Sequence, residues 1–258
     1  MTTEKVNILT TKQDGIMTVT LNRPEKLNAM RKVEFTRLAE LIEDFRDSPE
    51  MKIFVLTGKG RAFCAGEDLN ELLEPGGIGL EEVNESVRSL QAMTELLVGL
   101  DKPTIAAING PAVGFGLEIS AAFDIRIASA DAYFWFSEIT RGLLPTNASF
   151  FLIPRLIGLG NTTKMMLAAE KIPADQALAM GLVSTVTTPE DLQRVTLSTA
   201  QMMMQNSETS TRLIKNLLRN AFELPMSEIL EMEVQGTLEL AAGGEFVAGA
   251  QAFLCERG

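Results

Sequence analysis

The sequence predicts an α/β fold on three observations. Short apolar runs alternate with segments whose apolar residues recur at helical spacing; two of those runs pass through a glycine-containing loop into a helix start; and no fixed-period repeat interrupts the pattern. Strands separated by helices pair in parallel through helical crossovers.

Residues 6 to 21 read as a hairpin, with Val6, Ile8 and Leu9 on one arm, Ile16, Val19 and Leu21 on the other, and the turn-former Asp14-Gly15 between them. Phe35, Leu38, Ile42 and Phe45 fall at helical spacing, and an apolar strand, Ile53 to Leu56, follows. An amphipathic segment with Val83, Val87, Leu90 and Leu97 leads to the strand Thr104 to Ile108, and a glycine-rich loop leads to the apolar segment Leu117 to Phe123. Strands at Ile125 to Ala128 and Val183 to Val186 complete the core, placed at residues 1–190. Beyond residue 189 the pattern is helical: Leu213, Ile214, Leu217, Leu218 and Ala221 mark one helix, and Ile229, Met232 and Leu238 point to two or three more. Residues 191–258 are therefore expected to form a helical C-terminal region.

Composition narrows the function. With 23 Lys plus Arg against 34 Asp plus Glu, the net charge is −11 and basic residues do not cluster, which argues against nucleic acid as a partner. Cys64 and Cys255 lie far apart without metal-ligand spacing, so free thiols and a reducing, cytoplasmic setting are expected. No apolar run reaches the roughly 18 residues that span a bilayer, so no membrane role is expected. The chain has no histidine, which removes the commonest general base, every Ser-His-Asp triad and every imidazole metal site. Acid–base chemistry falls to carboxylates, Lys, Tyr or Cys.

The segments IFVLTGKGRAFCAGEDL from Ile53 and TIAAINGPAVGFGLEIS from Thr104 share one plan: strand, glycine loop, helix start. Such loops expose unpaired backbone N–H groups where the helix dipole also favours negative charge. Neither matches the dinucleotide or Walker glycine patterns, since Phe63 and Ile119 stand where the first would need glycine. Each loop alone is an ordinary strand-to-helix turn.

Together, AFCAGEDL and NGPAVGFGLEISAAFDIRIAS resemble the two signature segments of the crotonase (enoyl-CoA hydratase/isomerase) superfamily, in order and at its separation. NRPEKLNAM, AYFWFSEITRGLLPTNASFFLIPRLIG, KIPADQALAMGLVSTVT and AGAQAFLCERG extend the likeness over most of the chain. The resemblance implies a spiral of repeated β-β-α units with a helical trimerisation region, a homotrimer or dimer of trimers, and an acyl-CoA thioester substrate with no separate cofactor and no metal. It implies backbone oxyanion donors at Glu67 and Phe115 and catalytic carboxylates at Glu118 and Glu138. Substrate-binding positions carried over are Lys26, Leu27, Ala65, Gly66, Asp68, Gly114 and Arg257. Asn70 and Glu256 stand where the family often has lysine, leaving Lys26, Arg31 or Arg257 for the nucleotide end of the coenzyme. A charged Glu67 beside an enolate would be unfavourable, so its side chain is expected to point outward.

Glu118 lies three residues past Phe115, roughly 4.5 Å along a helix axis, in the apolar setting of Leu117, Ile119, Ala121 and Ala122. Two carboxylates suit hydration of a 2-enoyl-CoA, one activating water and the other delivering a proton. By family precedent Glu118 orients the water and Glu138 donates the proton. An isomerase would need only the position of Glu138, and the extra aspartate of dienoyl isomerases falls near Thr146. SEITRGLLPTN also resembles hydroxycinnamoyl-CoA hydratase-lyases, although Tyr133 is the sole tyrosine for phenol recognition. A CoA-ester-binding protein without turnover is the remaining alternative.

Overall fold

The computed structural model describes residues 6–72 and 79–255. Strands β1 (Ile8–Gln13) and β2 (Ile16–Leu21) form the expected hairpin, with Asp14 and Gly15 both at positive φ, 50° and 77°, as a tight two-residue turn requires. Helix α1 (Lys32–Asp47) buries Leu38, Leu41, Ile42 and Phe45 and leads to β3 (Ile53–Gly58), which pairs in parallel with β2. The short helix α2 (Leu69–Leu72) and the long helix α3 (Leu80–Gly99) precede β4 (Thr104–Ile108), which lies parallel to β3.

After β4 come β5 (Ala112–Val113), helix α4 (Phe115–Ala121), β6 (Ile125–Ser129) and β7 (Tyr133–Trp135). Helix α5 (Ser149–Ala168) follows, kinked at Gly158, then β8 (Ile172–Pro173), α6 (Ala174–Ala179) and β9 (Thr185–Thr187). The main sheet runs β1-β2-β3-β4-β6-β9, and a smaller one runs β5-β7-β8. The last main-sheet strand therefore starts two residues later than the expected Val183, because Leu182 and Val183 are buried in the turn after α6.

Residues Met1–Ala200 make one compact unit and Gln201–Gly258 a second. Helix α7 (Leu192–Met204) precedes α8 (Glu208–Asn220), α9 (Met226–Ala242) and α10 (Glu245–Cys255), so the C-terminal region is helical as the periodicity predicts. Among the described residues no helix is long and apolar enough to cross a membrane.

Helix α4 is too short to stand alone and is apolar or small all round apart from Glu118 and Ser120. All seven of its residues are buried, and Phe115 meets Phe35 of α1 edge-on with ring centroids 4.7 Å apart, a contact worth about 0.5–1.5 kcal/mol beyond burial. This packing fixes the carboxyl-bearing residue of α4, Glu118, deep in the first unit.

Candidate active site

Because β3 and β4 are parallel neighbours, both glycine loops leave the sheet at the same edge, beyond the carboxyl ends of the strands. They are then stitched side by side. The Val113 amide donates to the Cys64 carbonyl at 2.9 Å, and Asn109 accepts from the Gly58 amide and donates to the carbonyls of Gly60 and Ala62. Asn28, itself buried, donates to the Lys59 and Ala62 carbonyls from the N-terminal turn.

Gly66 sits at φ 100°, and a Cβ placed on it would stand 3.2 Å from the Val113 carbonyl oxygen and 3.7 Å from the Phe115 nitrogen. The amide after Gly66, that of Glu67, and the amide of Phe115 at the start of α4 thus belong to two chain segments in near contact. Among the described residues neither amide has a backbone acceptor. A pair of unpaired donors at a helix start suits an oxygen that gains negative charge.

Two carboxyls close the site. Glu118 is 3% exposed, and Nδ2 of Asn147 donates to its Oε2 at 2.7 Å while the Ser149 hydroxyl donates to its Oε1 at 2.8 Å. Burial raises its proton affinity above the ordinary carboxylate range, against the opposing pull of those two donors. Glu138 arrives by another route: β5 pairs with β7, the Gly114 amide donates to the Trp135 carbonyl, and the chain turns after β7 through a single 3-10 turn, Ile139–Arg141. A Cβ on Gly114, whose φ is 52°, would lie 2.8 Å from Oε1 of Glu138. Oε2 of Glu138 is buried without a hydrogen-bond partner among the described residues. Burial first, and the charges of Glu118 and Glu67 after it, push Glu138 up to about 7, with a hydrogen bond from its own backbone amide and the charge of Arg141 opposing.

These groups share one cavity of about 560 Å³. Its floor holds Ala65, Gly66, Glu67, Gly114, Phe115, Glu118 and Glu138; its apolar wall is formed by Leu69, by Val83, Val87 and Leu90 of α3, and by Leu143 and Leu144 after the 3-10 turn. An apolar cleft with a few converging polar groups is the usual form of a small-molecule site. Among the described residues no group of three or more His, Cys, Asp and Glu side chains is placed to hold a metal ion.

The structure brings together Ala65, Gly66, Glu67, Gly114, Phe115, Glu118 and Glu138. The other carried-over positions lie elsewhere. Lys26 is exposed on a 3-10 turn and does not line the cavity, while the Leu27 carbonyl accepts the Ala65 amide at 3.0 Å and so anchors the first loop. Asp68 is turned away into a 2.7 Å bond from Asn70 and a 3.0 Å ion pair with Arg23; these contacts hold its carboxyl below the usual range despite burial. Arg31 grips Glu34 through two contacts, 2.6 and 2.9 Å, so its guanidinium is already engaged. Arg257 lies outside the described residues.

Glu67 overturns the expectation of an outward side chain. It is half-buried and lines the cavity, and burial followed by the charges of Glu118 and Glu71 raises its proton affinity. The raised affinity favours the neutral form and so weakens the repulsion on which the expectation rests. Asn147 and Ser149 are not legible as site residues in the sequence; their sole signal there is a pair of cap-type side chains before an apolar run.

The model of the family described as enoyl-CoA hydratase/isomerase matches residues 11–258. The chain is 33% identical over 251 residues to 2,3-dehydroadipyl-CoA hydratase of Escherichia coli, covering 97% of this chain and 96% of that one. It is 30% identical, with the same coverage, to 1,2-epoxyphenylacetyl-CoA isomerase of the same organism. Among solved structures, enoyl-CoA hydratase from Bacillus anthracis superposes with a TM-score of 0.91 at 29% identity, over 97% of this chain and 96% of the other. With the loops, the cavity and the whole-chain match in agreement, this protein belongs to the enoyl-CoA hydratase/isomerase family.

Proposed function

We propose that the protein is an enoyl-CoA hydratase, adding water across the 2,3 double bond of a 2-enoyl-CoA thioester without a separate cofactor. The observation that carries this reading is the convergence of Glu118 and Glu138 on one cavity beside the unpaired Glu67 and Phe115 amides. The thioester oxygen accepts from both amides and takes up the charge of an enolate. Glu118, held as an acceptor by Asn147 and Ser149, orients a water and takes its proton as oxygen attacks Cβ. Glu138, protonated near neutral pH, gives its proton to Cα. The names of hydratase relatives support the same reaction class.

Isomerisation is the second reading, supported by the contrast between a partnered Glu118 and an unpartnered Glu138 oxygen, and by an isomerase among the relatives. Moving a double bond needs one carboxyl that shuttles a proton, and Glu138 suffices for it. The cytoplasmic setting and the homotrimer or dimer of trimers belong to the same proposal; Ile214 and Leu218 of α8 and Phe222 just beyond it, all more than half exposed, support assembly.

Loss of the enoyl absorbance of crotonyl-CoA and a longer enoyl-CoA tests the proposal in wild type, Glu118→Gln and Glu138→Gln. Glutamine is a clean probe at 118, because the Ser149 hydroxyl can turn to accept from the new amide. Hydration requires each variant to fall by about 10²- to 10⁴-fold in kcat. Full activity of Glu118→Gln would end the hydratase reading and leave the isomerase.

A further inference from the structure

We propose that Asn147 and Ser149 are positioning residues that fix the Glu118 carboxylate against the N-terminus of α5, and so set the pH range in which Glu118 acts as base. The two side chains reach Glu118 from 29 and 31 residues further along the chain, at 2.7 and 2.8 Å, and all three residues are at most 3% exposed. Ser149 is the first residue of α5, whose unpaired first-turn amides favour a negative charge. Glu118 thereby accepts from the side chain that opens a helix other than its own.

The local geometry is not what stability alone would select. Ala148, between the two donors, sits at φ 56°, in the left-handed region that a β-carbon disfavours. Asn147 is fully buried, yet its Oδ1 has no partner among the described residues. A buried amide with one half unsatisfied costs free energy that an apolar residue would not. Both costs fall on the residues that bring two donors onto one carboxylate, the pattern expected where positioning outranks stability. Gln91 of α3 also donates to the Thr146 carbonyl at 3.1 Å, which ties this turn to the helix whose Val87 and Leu90 line the cavity.

The sign of the effect follows from donor direction. Both groups donate to Glu118 and favour its ionised form, so removing either raises its proton affinity. A base must be ionised; its activity is lost as pH falls through its midpoint, and a raised midpoint moves that loss to higher pH.

The experiment is a carbon-13 NMR titration of glutamate-labelled protein, with the Glu118 signal assigned by its disappearance in Glu118→Gln. Ser149→Ala, Asn147→Ala and the hydroxyl-retaining Ser149→Thr are compared with wild type, and the acid limb of the enoyl-CoA hydration profile is recorded beside them. The expected result is a Glu118 midpoint and an acid limb both displaced upward by about one pH unit or more in the two alanine variants, with Ser149→Thr close to wild type. An unmoved Glu118 midpoint in both alanine variants overturns the proposal, as does an equal loss of rate at every pH. The kinetic arm rests on the hydratase reading and the titration does not: a wild type inert toward every enoyl-CoA would count against that reading while the NMR midpoints still decide the positioning role. Ser149→Ala keeps a good helix former at the start of α5, so its midpoint alone decides the matter should Asn147→Ala fail to fold.

Discussion

Glu118 and Glu138 reach the same cavity from opposite kinds of structure. The first stands on a helix buried on every side, with both carboxyl oxygens accepting from side chains of a distant turn. The second opens a single 3-10 turn whose next residues are exposed, and one of its oxygens has no partner among the described residues. Burial raises the proton affinity of both; side-chain donors counteract it at Glu118, whereas at Glu138 a backbone hydrogen bond and Arg141 are set against the added charges of Glu118 and Glu67. Identical side chains are thus suited to different tasks, a fixed acceptor and a proton carrier, by their surroundings.

The comparison can be broken at several points. Its largest expected effect is at the shared floor: Gly114→Ala forces a Cβ to 2.8 Å from Oε1 of Glu138 at a positive φ, displacing that carboxyl and the Phe115 amide together. Loss of one oxyanion donor costs about 10²- to 10³-fold in kcat, so a fall of at least that size is expected in steady-state kinetics. An active Gly114→Ala enzyme would detach Glu138 and that amide from the chemistry.

The proton-carrier role predicts a basic limb. With Glu138 protonated in its active form and titrating at about 7, kcat/KM should decline as pH rises through that value. Glu138→Gln should flatten the limb in its residual activity, while Glu118→Gln should keep the limb but move it to lower pH, because the charge of Glu118 no longer raises Glu138.

The same burial gives Glu138 a stability signature. Its folded-state affinity lies above the ordinary value of 4.5, so the unfolded chain ionises first and stability falls as pH rises from there through about 7. Glu138→Gln should match the wild-type Tm below pH ~4 and exceed it above pH ~8. The smallest effect belongs to Glu67→Ala, which keeps the backbone amide but removes a neighbouring carboxyl. The basic limb of the rate profile should then move modestly to lower pH, because the affinity of Glu138 falls with the lost repulsion.

Much of the fold is legible in the sequence because periodicity is local. The hairpin, α1 and the strands β3, β4 and β6 appear where alternation or helical spacing places them. The smaller sheet escapes because its strands hold two or three residues, too few to show a period, and exist only through pairing with one another. Helix α5 escapes because Pro154 and the kink at Gly158 break its pattern. Glu118 and Glu138 are legible through the resemblance of their segments to a family, and the strands then explain why the two loops meet. Nothing local could show that Asn147 and Ser149 close on Glu118, nor that Glu67 faces inward, since both depend on how the turn before α5 and the first loop pack against α4.

Product analysis in heavy water tests the central claim most directly. Incubating the wild-type protein with a 2-enoyl-CoA in D₂O and reading the product by mass and proton NMR separates the possible reactions without any mutation. Hydration predicts a 3-hydroxyacyl-CoA heavier by one water, with deuterium at Cα delivered from Glu138. An acyl-CoA of unchanged carbon and oxygen content, carrying deuterium and a displaced double bond, would contradict it and assign the site to isomerisation.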